Sequence, residues 1–149
     1  MAEQTANEIL NHLVARVYRS LLQYAVECWP WTSLTETVGS AAPEQQAVEQ
    51  IAARQQAFVG RLVDLLTERG ETIDFDNFPD HSELHYVSLD FLLGKLIADE
   101  QGLVAELEAA QGALHNDSAA ASLVSDLLAA EQANIARLRE LAAKAPAAV

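Results

Sequence analysis

Basic residues are scarce in this chain: nine Lys and Arg stand against 22 Asp and Glu, for a net charge of −13. That charge repels nucleic-acid phosphates and anionic lipid surfaces, so neither nucleic acid nor membrane is an expected partner. Such an acidic surface also attracts cations, but solubility is the simpler reading of it. Cysteine is nearly missing too. With Cys28 alone no internal disulfide can form, and a reducing, cytoplasmic setting is expected. Half of the residues are hydrophobic, yet no apolar run approaches the ~20 that a membrane-spanning helix needs. The opening MAEQTANEIL is acidic and polar, unlike a secretory signal. Strand-like alternation, internal repeats, a glycine-rich phosphate loop, a basic groove and a nucleophile–base–acid set are all lacking.

What remains is helical periodicity. The 149 residues fit one domain, 1–149, large enough to bury roughly 70% of its unfolded surface. Two interleaved sevenfold series, 10-17-24 and 14-21-28, predict a first helix over 5–28, ending at Trp29-Pro30-Trp31 because proline cannot continue the ladder. Pro43 and Glu44 open a second helix over 44–69, with Gly70 as its stop. The link from Glu71 to Pro79 carries Phe75 and Phe78 and is long for neighbours in an up-down bundle, which suits a crossover packed on the bundle. Asp80 and Glu83 have capping-box spacing for a third helix over 81–112. Asn116-Asp117-Ser118 makes a turn and cap before a fourth helix over 118–144. The predicted fold is all-α: an antiparallel four-helix bundle with a long crossover between helices two and three.

The seams contain polar residues at their midpoints. The series 48-55-62 and 51-58-65 place Gln55 and Phe58 inside, and 86-93-100-107 places Glu100 inside. On the fourth helix, 117-124-131-138 and 120-127-134-141 do the same for Glu131 and Asn134. Residues three apart share a helix face, so each pair 55/58 and 131/134 points one way. Buried polar groups are costly unless they are partnered or coordinate something.

These positions resemble the ferritin-like superfamily of bacterioferritins and rubrerythrins. Its bundles hold two irons with one Glu from each of two helices and Glu-x-x-His from each of the others. Leu10-Asn11-His12-Leu13 through Gln23-Tyr24 is similar to a bacterioferritin first helix, whose ligand Glu would fall at Val17. Gln55-Gln56-Ala57-Phe58 and Glu131-Gln132-Ala133-Asn134 match the two Glu-x-x-His positions, and Ala98-Asp99-Glu100 matches the third-helix Glu. Only Glu100 and Glu131 remain as carboxylates. Two irons need several anionic or imidazole ligands, so the resemblance implies the fold with a dismantled metal site. The expected alternative to a metal is a buried hydrogen-bond cluster in which the two glutamates share a proton or are hard to ionise. A single iron or other divalent ion on Glu100 and Glu131, serving redox or storage work, is the second expectation. The resemblance also implies a homodimer through faces of helices one and two, and a binding or assembly role without a cofactor.

Four smaller features remain. His81 and His85 stand one turn apart and have the spacing of a zinc pair, with no third ligand identifiable. His12 and His115 are isolated and read as solvated. Tyr24, Trp29 and Trp31 either close the end of the core or offer an aromatic patch to an unidentified protein partner. Cys28, on the seam, has no activating base in sequence and reads as an inert apolar residue.

Overall fold

The computed structural model describes residues 2–27, 42–75, 81 and 89–144. Among them every regular element is a helix: α1 (Ala2–Tyr18), α2 (Leu21–Glu27), α3 (Ala42–Glu68), α4 (Leu89–Ala113) and α5 (Ser118–Lys144). None of these helices is long and apolar enough to cross a membrane. Four helical limbs pack together, counting α1 and α2 as one. α4 lies most extensively against α5, and α3 and α4 each touch both the α1/α2 limb and α5.

Two helix ends form as their residues dictate. Gly70 has φ +74°, a left-handed conformation that glycine adopts without a Cβ clash. Its amide donates to Thr67 O at 3.0 Å and the Glu71 amide to Leu66 O at 3.0 Å, so the last carbonyls of α3 are satisfied. At the start of α5, Asp117 Oδ1 accepts the Ala120 amide at 3.2 Å, the geometry of an N-cap. The same carboxylate holds Arg69 through both oxygens, at 2.7 and 2.8 Å, which ties the end of α3 to the start of α5.

Two predicted boundaries differ. The first helix is not continuous over 5–28: Arg19 and Ser20 interrupt it, and α2 resumes at Leu21. His81 is not helical, so the third helix does not begin there, and it is described from Leu89. Phe78 and the Asp80–Glu83 cap lie outside the described residues.

The core falls into two apolar clusters. One joins Leu10, Val14, Val17, Leu62, Leu66, Leu103, Leu107, Val124 and Leu127. The other joins Leu21, Leu22, Val48, Ile51, Leu92, Leu93, Leu96, Leu138 and Leu141. Each fully buried leucine contributes about 1.5–3 kcal/mol of transfer free energy. On every limb a polar stretch separates the members of the two clusters: Ser20 with the break on α1/α2, Gln55 on α3, Glu100 on α4, and Glu131 with Asn134 on α5. That layer is the candidate site.

Candidate functional site

The layer begins where the first helix breaks. Neither proline nor glycine stands there; a side chain of another helix, Asp99 of α4, meets the backbone at the break. Its Oδ2 accepts the Leu21 amide at 2.9 Å, while the Ser20 amide tightens onto Val17 O at 3.1 Å. Arg16 holds Asp99 in place, its Nη2 donating to Asp99 Oδ1 at 3.1 Å and to Asp99 O at 3.0 Å. Arg16 Nε also donates to Glu106 Oε2 at 2.6 Å. Ser20 caps the new helix: its hydroxyl oxygen accepts the Gln23 amide at 3.4 Å, a long bond, and its hydroxyl donates to Gln55 Oε1 at 2.7 Å.

From this break a chain of amides leads into the carboxyls. Gln23 Nε2 donates to Ala52 O and to Gln55 Oε1, both at 2.9 Å. A carbonyl only accepts, so Ala52 fixes which end of the Gln23 amide faces it, and Gln23 with Ser20 fixes Gln55 in turn. The Nε2 group of Gln55 is therefore the end that faces the glutamates. It donates to Glu100 Oε1 at 3.0 Å and lies 3.1 and 3.3 Å from the two oxygens of Glu131. Asn134 Nδ2 donates to Glu131 Oε2 at 3.2 Å from one turn along α5. Both glutamates are fully buried, and Gln55 and Asn134 nearly so.

One oxygen is left over. Glu100 Oε2 is buried and has no hydrogen-bond partner among the described residues. Burial pushes the Glu100 carboxyl up to about 10, helped by its hydrogen bond with Glu131 and by the charge there; Gln55 opposes the rise and the Asp99 charge adds to it. Burial favours the neutral form of Glu100, so the two buried glutamates do not have to carry two negative charges side by side. Glu100 therefore keeps its proton at neutral pH.

The donor set does not fit two irons. Val17 belongs to an apolar cluster and has no donor atom. Phe58 is half-buried, with the Arg61 guanidinium 5.1 Å from its ring centroid. Gln55 presents N–H groups, not an oxygen, to the space between the carboxyls. Among the described residues no group of three or more His, Cys, Asp or Glu is placed to share a metal ion.

Of the residues singled out by sequence, Gln55, Glu100, Glu131 and Asn134 are brought together, and Val17 and Phe58 pack beside them in the apolar core. His81 meets Tyr24 edge-on, with ring centroids 5.1 Å apart. Its proposed zinc partner His85 lies outside the described residues, as do Cys28, Trp29 and Trp31. His12 and His115 are both exposed; His12 Nε2 donates to Glu106 Oε1 at 3.2 Å. Sequence reasoning passed over Arg16, Ser20, Gln23 and Asp99. Ser20-Leu21-Leu22-Gln23 has the spacing of a capping box and marks a helix start inside an otherwise continuous pattern.

No family model, curated protein or solved structure matches the chain. The site is therefore read from its own chemistry.

Proposed function

We propose that the chain is a ferritin-like four-helix bundle, antiparallel with a crossover between α3 and α4, that serves as a cytoplasmic binding or assembly module and not as a di-iron enzyme. The observation that carries this reading is the orientation of Gln55. Its N–H groups, fixed by Gln23 and Ser20, point at both carboxyls and occupy the hydrogen-bonding capacity that a cation would need. A protonated pair satisfied by two amides can neither cycle electrons nor activate water.

The topology is supported by contacts along the limbs. Arg69 at the end of α3 donates to Asn7 near the start of α1 at 2.9 Å, whereas Gln55 meets Ser20 at the far end of α1. The link then follows α1 in ascending order: Glu71 bonds Asn7, Thr72 and Asp74 bond Asn11, and Phe75 packs on Tyr18. Asp99 lies at Arg16 and Leu21 and Glu106 at His12, which runs α4 against α1. The homodimer, through faces of α1 and α3, rests on the family resemblance.

Two measurements on protein purified without chelators or nickel resin test the proposal. Elemental analysis after anaerobic iron loading should find no stoichiometric iron, and exposure to oxygen should show no fast oxidation phase. Sedimentation should give about twice the 16.2 kDa chain mass. Two irons per chain would overturn the non-enzyme reading, and a persistent monomer would overturn the dimer.

A second reading is favoured by the one oxygen that no N–H reaches. Glu100 Oε2 is buried without a partner, and a single divalent ion shared with Glu131 would replace the proton. Binding would then release a proton and strengthen with pH, which calorimetry in buffers of different ionisation enthalpy detects.

A further inference from the structure

The local sequence marks the break between α1 and α2 only by the capping-box spacing from Ser20 to Gln23. Both sevenfold seams, 10-17-24 and 14-21-28, run through it in register. Helical hydrogen bonding also recovers at once, since the Arg19 amide still reaches Ala15 O at 3.0 Å and the Tyr24 amide reaches Ser20 O at 3.2 Å. The diversion falls on the Leu21 amide, whose acceptor is Asp99, on another helix and 78 residues away. Asp99 is only partly covered, its side chain 27% exposed, and Arg16 holds it from the α1 side of the break.

We propose that Asp99 is a latch on a two-state helix: closed, it breaks the first limb at Arg19–Ser20, and released, it lets α1 and α2 join into one continuous helix. Joining returns the Leu21 amide to Val17 O. It rotates α2 relative to α1 and draws Ser20 and Gln23, which bond Gln55 across the break, away from it. The layer between the two apolar clusters thus becomes the plane about which the ends of the bundle reorient, and the partly exposed Arg16–Asp99 pair is where a cationic partner could compete for the latch.

The test compares the native chain with Asp99→Ala, Asp99→Asn and Ser20→Ala by NMR, reading 13Cα shifts at Arg19 and Ser20 and amide exchange at Leu21. Asp99→Ala should move both shifts toward helical values while Leu21 stays protected, now by Val17 O. Asp99→Asn keeps an acceptor oxygen and should keep the break. Ser20→Ala leaves Asp99 on the Leu21 amide and should keep the break, which decides the matter should Asp99→Ala fail to fold. Helical shifts in Ser20→Ala would overturn the proposal by showing that the cap sets the break, and unchanged shifts in Asp99→Ala would overturn it by showing that packing does.

Discussion

Glu100 and Glu131, on neighbouring helices and both fully buried, meet at the Gln55 Nε2 group, 3.0 Å from Glu100 Oε1 and 3.1 Å from Glu131 Oε1, and burial keeps a proton on Glu100. The negative charge left on the pair is met by N–H groups from Gln55 and Asn134. Removing two charges from water costs several kcal/mol per ion, and one proton avoids half of that cost.

The proton has a consequence for stability against pH. The Glu100 carboxyl is raised from 4.5 to about 10 on folding. Below pH 4.5 both folded and unfolded chains carry the proton, so its stabilising contribution is fully present there. As pH rises toward 10 the unfolded chain releases the proton and the folded chain keeps it, so stability falls, by up to ~1.4 kcal/mol per pH unit. Glu100→Gln offers an N–H where the carboxyl offered O–H. Urea denaturation across this range should show the variant at least as stable as the native chain at pH 7, with its advantage growing toward pH 9.

Glu131→Gln should behave differently. Glu131 accepts from Gln55 and Asn134, and an amide in its place sets a donor against donors. A loss of about 2–3 kcal/mol is expected at pH 7, the cost of a buried unsatisfied group. Equal effects of the two glutamine variants in denaturation would contradict the assignment of donor and acceptor.

Gln55→Leu removes the residue that links the break to the carboxyls. Ser20 and Gln23 lose their acceptor and both glutamates lose a donor. Several orphaned groups together should cost about 3–5 kcal/mol, near the upper end for one substitution. Thermal unfolding should show a fall in Tm well beyond that of Phe58→Leu, which alters only half-buried packing.

Sevenfold spacing made the seams legible, and with them the convergence of Gln55, Glu100, Glu131 and Asn134, because a straight helix keeps one face toward its neighbours over its whole length. The break could not be found the same way. The acceptor of the Leu21 amide, Asp99, sits 78 residues downstream on another helix, and periodicity within one helix carries no information about that contact. The capping-box spacing from Ser20 to Gln23 was the one local signal. Even there the Gln23 side chain does not close the box but turns to Ala52 and Gln55. His81, the residue where the third helix was expected to begin, is not helical and meets Tyr24 edge-on.

The clamp between α3 and α5 responds to acid. The Arg69 hydrogen bonds hold the Asp117 carboxyl below its ordinary value of 3.8, and burial partly opposes them. Its stabilising contribution is present above pH 3.8 and is lost as pH falls through the lower folded value. Asp117→Ala removes both clamp and cap and should cost about 1–2 kcal/mol at pH 7. That difference from the native chain should shrink on acidification in parallel denaturation curves.

The core claim is that Glu100, beside Glu131, carries a proton and not a metal ion, and infrared spectroscopy of carboxyl groups reads it directly. At pH 7 the native chain should show the carbonyl stretch of a neutral, hydrogen-bonded carboxylic acid, insensitive to added divalent cations and missing from Glu100→Gln. A spectrum at pH 7 with ionised carboxylates only, or a neutral band that vanishes when iron or zinc is added, would contradict it.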